Sequence, residues 1–363
     1  MTAADDAARS EFERGRPLAL DFECLRSIPE GINEVRVWWS DLLGREQVGK
    51  RVDISAMDTD TLPEAATLVS IDHRNVVPIN TAALVGGFPS PMRVVEIVTP
   101  YYPRGSVTDA LLRNDEFVCS EAVAITQAAL RGLSHLHEVH GILHRDVKSG
   151  NVLLTDDGSV ARLADLGLAG RMDEHGQVPN ALNPTLYTPP EWFADGLLRR
   201  QSDLYPVGLM LRELVAGAFP YEQYTTLFIA ERLALQQSPL RGNDMTLPIW
   251  TPRDLRRVIR KAEARDWRQR FKTAAGMDAA LARVEVADWC EVAEQRWEAP
   301  RRRHPGQLIG IEARALRNGR IRLSLLQYRT TWRRVGQDTD VETLDSVEGR
   351  AVFDRATSIA TAR

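Results

Sequence analysis

Residues 141–154 constrain this chain more than any other stretch: Gly141-Ile142-Leu143-His144-Arg145-Asp146-Val147-Lys148-Ser149-Gly150-Asn151-Val152-Leu153-Leu154. An acid (Asp146), a lysine two residues on (Lys148) and an amide three further on (Asn151) sit between two short apolar runs. Apolar runs of that length read as buried strands. The segment is therefore expected to be a polar loop anchored at both ends, with its side chains facing a cleft.

Length and composition bound the rest. A chain of 363 residues allows two or three units, each large enough for a core. Its 44% hydrophobic and 26% charged residues are ordinary for a globular protein. A net charge of -4 leaves any nucleic-acid partner to local patches. The cysteines, Cys24, Cys119 and Cys290, are odd in number and far apart, which fits free thiols in a reducing compartment. No apolar run approaches the roughly 20 residues of a membrane span, and residues 1–16 are acidic and Ala-rich, with no signal-like apolar region. The expected location is cytoplasmic, with no membrane partner.

The polar loop, His144-Arg145-Asp146-Val147-Lys148-Ser149-Gly150-Asn151, resembles the catalytic loop of eukaryotic-type (Hanks-type) serine/threonine protein kinases. The resemblance implies that Asp146 accepts or orients the proton of the substrate hydroxyl. It implies that Lys148 stabilises the transferring phosphoryl group and that Asn151 holds Mg2+. Lysine at that place implies serine or threonine substrates. Nineteen residues after Asp146, Ala164-Asp165-Leu166-Gly167 resembles the family's Asp-Phe-Gly, with Asp165 bridging metal and phosphates. A hairpin signal with its turn at Asp156-Asp157-Gly158 lies between them.

The first hundred residues carry the implied nucleotide site. Residues 34–39 and 47–54 alternate, with turn chemistry from Asp41 to Arg45, and this pair is expected to be the glycine-loop hairpin. Aligning the family's loop on Val35 places Ile28, Glu30 and Asn33 at its three glycine positions, with Gly31 alone nearby. Strand parity selects the phosphate-binding cation: Lys50 shares a face with Val48 and Val52, whereas Arg51 shares one with Gly49 and Asp53 that reads as solvent. A lysine on an inward face needs a partner. The expected partner is Glu64, on a helix opened by Pro63. His73-Arg74-Asn75-Val76-Val77 resembles the segment that closes this helix in kinases. Thr99 is the implied gatekeeper, and Pro100 and Tyr102 are the implied hinge contacts to adenine.

Residues 120–137 read as a helix capped by Ser120. His135, His137, His140 and His144 near its end are read as packing and hydrogen-bonding groups, not a zinc set. The implied activation segment, 165–191, ends in Asn183-Pro184-Thr185-Leu186-Tyr187-Thr188-Pro189-Pro190-Glu191, with Pro184 where the family's threonine stands. Regulation there would use phosphate on Thr185, Tyr187 or Thr188, or a standing pair of Arg145 with Asp173 or Glu174. Asp203 is expected to hydrogen-bond the catalytic-loop backbone, and Arg270 to pair with Glu191.

The fold class expected is α+β: a bilobal protein-kinase fold plus a small β-rich C-terminal module. The division is 1–26 as an extension, 27–99 as small lobe, 100–287 as large lobe and 288–363 as the module. Within the last part Ile309, Ile311, Ala313, Ile321, Leu323 and Leu325 form one apolar face, joined over Asn318-Gly319 by an expected type I′ turn. Its many arginines suit an acidic partner or nucleic acid, or are balanced by the acidic stretch 338–348. Residues 351–363 read as a frayed helix or loose end. The implied function is a protein kinase moving the γ-phosphoryl group of ATP with Mg2+. The alternative is an ATP-binding pseudokinase scaffold acting through its C-terminal module, motivated by the degenerate glycine loop and Pro184.

Overall fold

Alternating β-formers in the first hundred residues do pair as strands. The computed structural model describes residues 26–30, 33–41, 43–55, 65–157, 160–180 and 184–362. β1 (Arg26–Glu30), β2 (Asn33–Ser40), β3 (Arg45–Asp53), β4 (Thr81–Val85) and β5 (Val94–Pro100) form one antiparallel sheet in the order β1-β2-β3-β5-β4. The short helix α1 (Ala65–Val69) precedes β4. β1 pairs antiparallel with β2, with Glu30 opposite Asn33. The two strands expected from alternation also pair, as β2 and β3, with Ser40 opposite Arg45. β1 is invisible to pattern reading because it contains Pro29 and does not alternate. At a sheet edge proline removes no needed ladder donor.

Cross-strand register puts Lys50 opposite both Val35 and Ile97, on one face of the sheet. The other face is not the solvent-facing side expected from Arg51. There Glu96 is buried between Arg36 at 2.6 Å and Arg51 at 3.2 Å. Gly49 is required beneath them: a Cβ would press against the Glu96 carboxylate and stand 2.7 Å from the Trp38 ring.

The large lobe follows: α2 (Val107–Leu112), α3 (Cys119–Val139), β6 (Ile142–Leu143), β7 (Val152–Leu154), β8 (Ala161–Leu163), β9 (Gly170–Arg171), β10 (Val178–Pro179), α4 (Glu191–Ala194), β11 (Leu197–Leu198), α5 (Arg200–Ala216), α6 (Thr226–Ala234), α7 (Arg253–Ala262) and α8 (Ala274–Leu281). Leu130, Leu133 and Leu136 of α3 are fully buried against a core that includes Leu204, Val207 and Leu211 of α5. α5 is buried all round from Ser202 to Val215, as a central helix must be. Ser120 is not the cap of α3. The Glu121 carboxylate takes the Val118 N–H at 3.1 Å, while Ser120 gives its N–H and hydroxyl to Asp288, each at 2.8 Å.

Beyond α8, β12 (Cys290–Ala293), β13 (Arg296–Pro300), β14 (Leu308–Ala315), β15 (Ile321–Tyr328), β16 (Trp332–Arg334) and β17 (Thr339–Val341) form a six-stranded sheet backed by α9 (Val347–Thr361). Ile309, Ile311, Leu323 and Leu325 are buried against Phe353 of α9 and Trp289 and Trp297. Of the two expectations, a frayed helix or a loose end, the segment is a helix, and it is packed because its apolar stripe meets the sheet. The β14–β15 turn is also different from expectation. Leu316 accepts the Gly319 N–H at 3.1 Å and only Gly319 has positive φ, at 78°. That is a type I turn closed by a left-handed glycine, which a longer loop selects over type I′. Asp340 clasps Arg322 at 2.7 and 2.9 Å and Asp338 holds Arg334 at 3.2 Å, so acids of the module answer part of its arginine face.

Candidate active site

Strands at both ends hold the polar loop, as its flanking apolar runs require: β6 pairs with β9 and β7 with β8. Its backbone is seated on a buried carboxylate. Asp203, in the first turn of α5, accepts the His144 N–H at 2.8 Å, the Arg145 N–H at 2.9 Å and a bond with the His137 ring at 2.8 Å. Burial opposes charge on Asp203, but the bond from His137 and the nearby histidines outweigh it and hold the carboxyl below its ordinary value. Arg145 has φ of 66°, a conformation that a non-glycine residue keeps only where its surroundings over-determine it. His144 is fully buried, its Nε2 at 2.9 Å from the Ala164 carbonyl, and this ties the loop to the residue before Asp165. The histidine reading made from sequence matches these bonds.

Three side chains of the loop converge. Asp146 accepts from Lys148 Nζ at 2.8 Å and from Asn151 Nδ2 at 3.0 Å. Asn151 Nδ2 also donates to the Asp146 carbonyl at 2.8 Å. Across the cleft Lys50 Nζ stands 2.6 Å from Asp165 Oδ2. Burial pushes the Asp165 carboxyl up, yet the Lys50 charge and hydrogen bond prevail and its pKa lies below the ordinary value. Leu166 is buried beside it, so leucine serves as packing there.

One cleft, between the five-stranded sheet and the large lobe, is lined by Val35, Lys50, Thr99, Pro100, Tyr102, Asn151 and Asp165. Asp146 lines an adjoining recess with Thr185, Tyr187 and Thr188. The Tyr102 carbonyl accepts the Gly105 N–H at 3.0 Å, leaving one lone pair for a ligand. Two further site residues from the sequence, Gly31 and Glu64, lie outside the described residues, as does Asn183.

Two features escaped the sequence. Arg145 does not pair with Asp173 or Glu174; its guanidinium donates to the carbonyls of Leu168, Ala169 and Pro179. Asp173 instead accepts the His175 and Gln177 N–H groups, closing its own turn. The second is Glu213 of α5, fully buried, which accepts from the hydroxyls of Ser149, Tyr187 and Tyr221. Burial pushes its carboxyl above the ordinary value. No local pattern announces it, because its partners come from three separate segments, two of them far along the chain.

Among the described residues no group of three or more His, Cys, Asp or Glu could cage a metal. A half-buried, ionised Asp165 lining the same cleft as an amide side chain, Asn151, is nevertheless the kind of sparse oxygen set that Mg2+ accepts when phosphates and waters complete its shell. The donor set fits that ion.

A model of the protein kinase domain matches residues 42–279. Serine/threonine-protein kinase PrkC of Bacillus subtilis is 27% identical over 229 residues, covering 62% of this chain and 33% of that protein. Serine/threonine-protein kinase PknL of Mycobacterium tuberculosis is 29% identical over 246 residues, 65% of this chain and 58% of that protein. Serine/threonine-protein kinase 12 of Arabidopsis thaliana is 27% identical over 233 residues, 62% and 48% respectively. The chain therefore spans between a third and three-fifths of these relatives. It belongs to the protein kinase family.

Proposed function

We propose that the protein transfers the γ-phosphoryl group of ATP to serine or threonine hydroxyls of proteins. The observation that carries this reading is two pairings at adjoining recesses: Lys50 with Asp165 at 2.6 Å across the cleft, and Asp146 with Lys148 and Asn151 beside it. Val35, Thr99, Pro100 and Tyr102 form the wall that would take the adenine, with backbone groups of Pro100 and Tyr102 at its edge. Lys50 would hold the α- and β-phosphates. Asp165 and Asn151 would hold Mg2+, which, when bound, neutralises charge on the phosphates. Asp146 orients the acceptor hydroxyl and takes its proton as the oxygen–phosphorus bond forms and the bond to ADP breaks. Lys148, now paired with Asp146, turns to the transferring group when substrate is present. Glu64 would complete the set as the partner of Lys50.

The test is transfer of labelled γ-phosphate to a generic basic protein and to the chain itself, with Asp146→Asn as control. Transfer in the parent protein and its loss by about two to four orders of magnitude in the variant is expected. Tight Mg-ATP binding with no transfer above that variant would sink the reading and leave a nucleotide-binding scaffold.

A further inference from the structure

An open groove separates the large lobe from the C-terminal module, walled by α7 and α9 and floored by residues 245–247. Its charges are unequal. Arg212 and Glu263 at the base are buried and pair at 2.6 Å, so they cancel. Arg256 reaches Asp354 at 3.3 Å and also donates to the Thr251 carbonyl. Asp354 further accepts the Arg253 backbone N–H at 2.8 Å. Arg260 and Arg350 each spend one N–H on a backbone carbonyl, at 3.3 and 3.0 Å. Among the described residues the guanidiniums of Arg253, Arg260 and Arg350 pair with no carboxylate, although all three line the groove beside Asp345, the one lining acid without an ion pair. Burial lowers the pKa of Arg256 against the raising charge of Asp354, and the nearby Arg350 and Arg260 add to the lowering. Met245, Leu247, Val347 and Ala351 add an apolar ledge.

We propose that this groove docks a phosphorylated serine or threonine segment of a protein. Arg253, Arg260 and Arg350 take the phosphoryl oxygens, and a neighbouring side chain rests on the ledge. A phosphoryl group brings close to two negative charges and three strong acceptors to planar, forked donors, which a single carboxylate does not. Nucleic acid fits less well, because among the described residues no aromatic side chain lines the groove to stack a base. The choice of phosphoserine or phosphothreonine rests on the kinase reading, whose product it is; the arginine geometry stands apart from that reading.

The experiment uses the full chain, both parent and Asp146→Asn, titrated with a fluorescein-labelled peptide library centred on phosphothreonine and with its unphosphorylated counterpart. Anisotropy is expected to show the phosphorylated pool binding at least about tenfold more tightly, the step expected for one charge-assisted contact set. Arg350→Glu and Arg253→Glu should each remove about that factor, whereas Arg314→Glu, on an exposed position of β14, should not. Thermal melts check folding, and Arg350→Gln replaces any variant that fails to fold. Equal binding of the two pools, or binding untouched by the groove variants, overturns the proposal. So does displacement by inorganic phosphate at the peptide's own concentration, or binding of single-stranded RNA in place of the peptide. Peptide binding retained alongside absent phosphotransfer would fail the kinase reading alone.

Discussion

Asp203 shows how one buried carboxylate can set the shape of a polar loop. Its folded pKa lies below the ordinary value, so the unfolded chain binds the proton more readily. The stabilisation is therefore complete above about pH 4 and is lost as pH falls toward the folded value. Between roughly pH 6 and pH 2, urea midpoints should fall more steeply for the parent than for Asp203→Asn; parallel acid limbs would assign the titration to another group. Glu213 has the opposite sign: its raised pKa means that stability declines as pH rises from the unfolded toward the folded value. Tyr187, 8% exposed, gives its hydroxyl to Glu213. Tyr187→Phe should cost about 1–3 kcal/mol in chemical denaturation, because a buried acceptor loses a donor. Mass-spectrometric mapping should find phosphate on exposed Thr185 rather than on Tyr187. Abundant phosphotyrosine at 187 would mean that this buried arrangement opens readily.

Between elements, the pair of Glu191 and Arg270 plays a comparable part. Glu191 begins α4, and Arg270 meets it through two bonds of 2.8 and 2.7 Å. Arg270 also donates to the Gln201 carbonyl at 3.0 Å, and Ser202 donates to Glu191 at 2.7 Å, so α4 is fastened to the start of α5. Arg270→Met should destabilise by about 3–5 kcal/mol, because a buried carboxylate keeps its charge and loses its cation. Adding Glu191→Gln should restore part of the loss in a thermal melt; equal losses would place the effect in packing alone. The likeness of Pro-Glu and of the later arginine to family motifs made this pair readable. The seat of Arg145 on three carbonyls was not readable, since a backbone acceptor carries no side-chain signature.

The kinase domain and the C-terminal module share more than a linker. Trp250 packs against both hydrophobic cores. Asp288 serves Ser120 at the start of α3, and Asp354 serves the start of α7. Differential scanning calorimetry should therefore show one cooperative transition for the full chain. Ending the chain after residue 287 should lower the melting temperature of the kinase domain by several degrees, since it removes the Ser120 partner and bares Trp250. Two separate transitions in the full chain would show that these contacts do not couple the units.

Local order explains what was readable before any fold was known. Asp146, Lys148 and Asn151 lie within one loop whose spacing is set by the backbone, and Asp165 follows a short hairpin, so residue type and distance along the chain located them. Alternation likewise put Lys50 on the inner face of β3 and paired β14 with β15. Tertiary structure alone decided the rest: β1 with its proline, the burial of Glu96 between two arginines, the Asp288 contact with α3, the packed α9, and the arginine groove where two units meet. Each depends on side chains brought together from distant parts of the chain, where the free energy of contact, and not local propensity, selects the arrangement.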